Sequence, residues 1–168
     1  MDDYLRATPM AQSGEARLRD LARQVVGSQT DAYRAALALN NWVFRNLGKM
    51  ESEPRPITAL QVLDQGKGDC SEHALLMATL ARAVGLPSRL VAGLAVIGDK
   101  LFYHAWVEVY VGEWVEMDPT WGEAGVDAGH LLLARSALDE VSYARMSLDT
   151  GRTLGTLGAK VVDYQAEE

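Results

Sequence analysis

The chain has almost none of the chemistry that staples small proteins together: among 168 residues there is one cysteine, Cys70. A lone thiol excludes a disulfide framework and every zinc or iron–sulfur site built from several thiolates. It leaves a packed thiol, one ligand of a mixed metal site, or a nucleophile. Positive charge is also short, with 16 Lys and Arg against 23 Asp and Glu and a net charge of -7. The basic footprint that tracks phosphate backbones or anionic lipid is missing, so no nucleic-acid partner is expected. No apolar run approaches the roughly eighteen residues of a membrane span, and residues 1–20 carry acids and Gln where a leader would be greasy. Direct membrane insertion is not expected, and the chain reads as a soluble domain. There is no D-x-D-x-D-G loop, and the acids are scattered, so calcium is not implied and no cofactor or metal is assigned. Neither a repeat nor a low-complexity linker divides the chain.

What remains, 48% hydrophobic residues over one domain's length, suffices to bury a core. Leu18, Leu21, Ala22, Val25 and Val26 recur at helical spacing between Ser13, a candidate N-cap, and Gly27. A second helix begins at Thr30-Asp31, turns Tyr33, Leu37, Val43, Phe44 and Leu47 inward with Trp42 and Phe44 in the core, and ends at Gly48 before a loop containing Pro54 and Pro56. Thr58 caps a short turn through Leu63. From Cys70 to Val84 one broad face carries Cys70, Ala74, Met77, Ala78, Ala81 and Val84, so Cys70 opens a buried helix. The period then switches to two over 88–97, 101–111 and 113–118. Helices first and strands later predict an α+β fold. Residues 141–148 and 152–162 read as two further strands, and 165–168 as a fraying acidic end. The whole is expected to be one domain, with its core over about 13–122 and a C-terminal extension over 123–168.

A helix N-terminus favours an anion, so the Cys70 thiolate should be stabilised there, unless the residue is simply packing on an Ala-rich face. Of three histidines, His73 lies one turn along the same helix, His130 begins the weakly patterned tail, and His104 sits in a strand. Alternation groups His104 with Phe102, Trp106, Glu108 and Tyr110. The following hairpin decides whether Asp118 can reach it. A two-residue Gly112-Glu113 turn would put Asp118 on the opposite sheet face. A three-residue loop over 110–112, with Gly112 left-handed, would set His104 directly opposite Asp118. In that second register the three follow acyl-transfer logic, with Cys70 as nucleophile, His104 as proton acceptor and donor, and Asp118 fixing the imidazole tautomer. The Cys70 N–H would serve an oxyanion hole, while Gln61, Gln65 and Trp42 are left out of the site.

Four blocks carry these residues: Gly68-Asp69-Cys70-Ser71-Glu72-His73-Ala74, Ala83-Val84-Gly85-Leu86-Pro87, Tyr103-His104-Ala105-Trp106-Val107-Glu108 and Trp114-Val115-Glu116-Met117-Asp118-Pro119-Thr120. Together they resemble the transglutaminase-like superfamily. The resemblance implies a papain-like scaffold with N-terminal helices and the Cys-bearing helix packed on an antiparallel sheet, with Cys70, His104 and Asp118 as the catalytic residues. It is most similar to bacterial members in which a later aspartate and histidine, here Asp127 and His130, follow the D-P-T segment. Many of those are parts of larger exported or membrane-attached proteins.

The favoured reading is a cysteine protease or amidase that acts on peptide bonds or glutamine and asparagine side-chain amides through a thioester, with hydrolysis ahead of cross-linking and a protein or peptide as substrate. Two alternatives use the same residues. One is a non-catalytic peptide-binding module with an aromatic groove of Trp106, Tyr110, Trp114 and Trp121. The other is a zinc hydrolase with Cys70, His73, His104 and Asp118 as ligands.

Overall fold

The computed structural model describes residues 1–50 and 57–156. The expected Pro54–Pro56 loop, positions 157–162 of the last expected strand and the acidic end at 165–168 lie outside them. Helix starts are set by side chains that take up the N–H groups a first turn leaves unpaired. Helix α1 (Ala16–Val26) begins behind Glu15 rather than Ser13, which is buried in the preceding turn with its N–H on the Ala11 carbonyl. In α2 (Ala32–Asn46) the Asp31 side chain accepts from the Arg34 N–H, and Ala35, Ala36, Leu39 and Val43 face the core. Tyr33, expected inward, is exposed, and Trp42 and Phe44 are only half-buried. Thr58 and Gln61 close a reciprocal cap on α3 (Ala59–Gln65). Strands β1 (Gly48–Lys49) and β2 (Lys67–Gly68) pair in parallel and bring the ends of α2 and α3 together just before Cys70.

The central element is α4 (Cys70–Ala83), buried at every residue from Glu72 to Arg82. Its start is doubly tied: the Asp69 side chain accepts from the Ser71 and Glu72 N–H groups, and Glu72 reaches back to the Asp69 N–H at 2.6 Å. The expected period-two segments form β3 (Ser88–Ile97), β4 (Lys100–Tyr110) and β5 (Trp114–Met117). With β6 (His130–Ser136) they make an antiparallel sheet in the order β5-β4-β3-β6. One face of α4 meets α1, α2 and α3, while Leu76, Met77 and Leu80 join Leu90, Ala105, Val107 and Val109 of the sheet in one core. This is the expected α+β architecture.

The C-terminal part differs from expectation. Residues 141–148 lie within α5 (Glu140–Thr156), as does the start of 152–162, so neither adds a strand in the described region. The apolar residues that suggest alternation, Val141 and Leu148, face solvent, whereas Tyr143, Met146 and Thr150 turn inward at helical spacing. The strand that does extend the sheet is β6, which pairs with β3 across an irregularity between Ala92 and Gly93. Gly93 is there because a Cβ would run into the Leu131 carbonyl and the Trp106 ring.

Candidate active site

Cys70 is the first residue of α4 and half-buried. Strand β5 stops at Met117, opposite Val107, so Ala105 has no strand on that side of β4. The Ala105 backbone and the Ser71 side chain both favour the Cys70 thiolate. The residue before Ala105 is His104, 4% exposed, whose Nε2 lies 2.6 Å from Asp118 Oδ2. Burial works against the charge of Asp118, but the imidazoles of His104 and His130 and the Thr120 N–H hold its carboxyl far below the usual range. Being ionised, Asp118 can only accept. His104 Nε2 therefore carries the hydrogen, and in the neutral ring Nδ1 keeps its lone pair. Asp118 Oδ1 accepts from the Thr120 and Trp121 N–H groups at 2.7 and 3.3 Å, so the Asp-Pro turn is also what aims the carboxylate.

The hairpin is odd, as the site requires, but its register is neither of the two expected. Tyr110 pairs with Trp114, and the loop is Val111-Gly112-Glu113 with Gly112 at φ 114°. Extending this register by one residue beyond Val107↔Met117 sets Trp106, not His104, opposite Asp118. His104 meets the carboxylate diagonally, on the same face, from two residues along.

His73 does not join this group. Its Nδ1 is 2.7 Å from the Asp69 carbonyl and its Nε2 is 3.3 Å from the Leu47 carbonyl, which ties α4 to the end of α2. The four-ligand zinc arrangement with Cys70 and His73 is thereby overturned. Gln61 is occupied in the cap of α3, and the Gln65 amide donates to the Lys67 carbonyl.

Residues 19–119 match the model of the transglutaminase-like superfamily. The chain belongs to that family. A 71-residue stretch is 34% identical to an uncharacterised protein of Mycobacterium leprae, covering 38% of this chain and 25% of that one. A 72-residue stretch is 38% identical to the protein-glutamine gamma-glutamyltransferase of Pseudomonas aeruginosa, covering 36% of this chain and 11% of that one. The chain thus spans a quarter or less of the length of these two relatives. A crystal structure from Cytophaga hutchinsonii, provisionally named a cysteine protease, superposes with a TM-score of 0.70 at 26% identity, over 80% of this chain and 46% of that one. The periplasmic domain of TgpA from Pseudomonas aeruginosa shares the fold, with a TM-score of 0.52 at 24% identity over 70% of this chain and 44% of that one. Among the described residues no helix is long and apolar enough to cross a membrane.

In this transglutaminase-like chain the thiol is not the resting anion that a helix N-terminus suggests. Burial, and after it the Asp69 carboxylate, push Cys70 up to about 11, against the Ala105 backbone and the Ser71 hydroxyl. Loss of water around its hydroxyl likewise pushes Tyr103 up to about 12, although the residue as a whole is exposed, so the phenol is neutral. Sequence reasoning missed three neighbours. Trp121 stacks flat on His104 with centroids 4.2 Å apart and planes at 9°. His130, named only through the family pattern, lies 5.7 Å from the His104 ring and 3.5 Å from Asp118 Oδ2. Ser71, within the motif itself, favours the thiolate. Beside these groups Lys49, Met50, Gly68, Asp69 and Thr120 line a cavity of about 290 Å³. A larger one of about 520 Å³ lies along the outer face of α5 and includes none of these groups.

Proposed function

We propose that this chain is a cysteine-dependent acyl-transfer enzyme that acts on amide bonds, either peptide bonds or glutamine and asparagine side-chain amides, and hydrolyses them through a thioester. One observation supports it above the others: the buried 2.6 Å bond from His104 Nε2 to Asp118, which leaves Nδ1 free to accept a proton on the residue next to Ala105, whose backbone favours the Cys70 thiolate. Because the resting thiol is neutral, proton transfer accompanies attack. Cys70 Sγ bonds to the substrate carbonyl carbon as its proton passes to His104 Nδ1, and the Cys70 N–H meets the developing oxyanion. Collapse of this adduct breaks the C–N bond, and His104 returns the proton to the departing amine. Water then attacks the thioester, gives a proton to His104, and leaves acid product and free thiol. Hydrolysis is the default because aminolysis needs water held off the thioester.

The test is a mass-spectrometric screen of peptides and glutamine donors, with and without a primary amine, using wild type and Cys70→Ala. Hydrolysed product from wild type alone is the expected result. Amine adducts would move the reading to cross-linking, and no Cys70-dependent product over a broad panel would favour a peptide-binding module. Activity that survives Cys70→Ala but disappears on chelation would favour a metal hydrolase.

A further inference from the structure

The Nε2 side of His104 has a second use. His104, Asp118 and His130 bring two imidazole nitrogens and a carboxylate oxygen within 4.8 Å of one another. The His130 side chain is 2% exposed, and its Nε2 makes no hydrogen bond. Its other nitrogen is committed: Nδ1 lies 3.1 Å from Asp127 Oδ1, an oxygen that also accepts the Gly129 N–H at 2.8 Å. The hydrogen of a neutral His130 therefore sits on Nδ1, and the Nε2 lone pair faces Asp118. A carboxylate on one imidazole nitrogen, with the other bare and buried beside acidic oxygen, is how proteins prepare a histidine to hold a metal. Glu123 Oε2, 3.8 Å from His130 Nε2, is likewise buried without a hydrogen bond.

We propose that His104, Asp118 and His130, with Glu123 as a fourth ligand, form a thiol-independent site for a zinc-type divalent ion, and that its occupation switches off the acyl transfer proposed above. Two imidazoles and carboxylate oxygen suit Zn²⁺. Ligand bonds of about 2.0–2.2 Å in a tetrahedron set donor atoms roughly 3.3–3.6 Å apart. The His130–Asp118 distance of 3.5 Å already fits, while the His104–Asp118 distance of 2.6 Å must open. The ion replaces the hydrogen that His104 Nε2 shares with Asp118. That hydrogen, the only one on the nitrogens of the neutral ring, moves to Nδ1, the atom that must accept the thiol proton. The ion thus acts as an inhibitor, not a cofactor, and with both rings neutral it binds without net release of a proton.

Calorimetric titration of ZnCl2 into wild type, Cys70→Ala, Asp127→Asn and His130→Ala tests this, with circular dichroism melts to verify that each variant is folded. One equivalent should bind to Cys70→Ala as tightly as to wild type. Asp127→Asn, at a solvent-exposed carboxylate, should weaken binding by about 10–100-fold, and His130→Ala by at least as much. Loss of binding in Cys70→Ala would put the ion on the sulfur and overturn the proposal. Unchanged affinity in both Asp127→Asn and folded His130→Ala would do the same. The binding measurement needs no turnover, so failure to find amide cleavage would sink the enzyme reading and leave the metal site standing.

Discussion

The proposed relay works only if the two nitrogens of His104 differ, and Asp118 makes them differ. Asp118→Asn keeps the shape and removes the charge, so kcat/KM on any Cys70-dependent substrate should fall on the order of 10²–10⁴-fold. A loss under tenfold would remove Asp118 from the mechanism. The thiol gives a second prediction. Iodoacetamide alkylation of Cys70 in substrate-free protein should accelerate with pH toward about 11, because the neutral form persists that far. Asp69→Asn retains a good N-cap but removes the charge that opposes the thiolate, so the midpoint should move down. A rate already at plateau near neutral pH would instead mean that His104 holds the proton at rest. At this scale the sequence is legible where residue type and chemistry coincide, as at Cys70, His104 and Asp118. The burial that decides the charge of Cys70 is not legible, since it comes from chain remote in sequence, and Trp121 follows a turn where no periodicity predicts its stacking.

Strand phase is what places these side chains. The three-residue loop with Gly112 keeps His104 and Asp118 on one face, and a one-residue change in loop length would separate them. The need for an odd loop is readable from parity alone. Which three residues form it is not, because loops over 110–112 and 111–113 preserve the same parity and only the packing of β5 chooses between them. Helix caps are equally plain in α2, α3 and α4, but the helix phases are less so, since in α2 Tyr33, expected inward, is exposed. They are obscured in α5, whose exposed Val141 and Leu148 imitate a strand. The pairing of β3 with β6 carries a weaker test. At Gly93 a methyl group would meet the Trp106 ring and the Leu131 carbonyl, so Gly93→Ala should lose roughly 1–3 kcal/mol in urea unfolding. Trp106 also packs edge-on against His130 at 5.1 Å, so the same change should disturb the site.

Across the molecule, stability should depend on acid. Asp118 and Glu108 both have depressed carboxyls, Glu108 because Arg135 and Arg89 outweigh its burial. Their contribution is complete above the unfolded value of about 4 and disappears as pH falls through the lower folded values. His130 is raised by Asp118 and Asp127 despite its burial, so its contribution has the opposite sign, present below about 6.5 and lost as pH rises through the folded value. Melting temperature should therefore drop below about pH 4, and Asp118→Asn should flatten that limb. The buried Arg82 joins three distant stretches, donating to the carbonyls of Arg6, Ser88 and Ala137 at 2.9, 2.8 and 2.8 Å. Burial lowers it to about 10, which leaves it charged at neutral pH. Nearby, the Thr8 hydroxyl donates to the Leu138 carbonyl at 2.6 Å. These bonds give the first few residues an importance that their poor patterning hides. Trimming the protein to start at residue 9 would strip an acceptor from a buried cation and unlatch the link between β6 and α5, some 130 positions away along the chain.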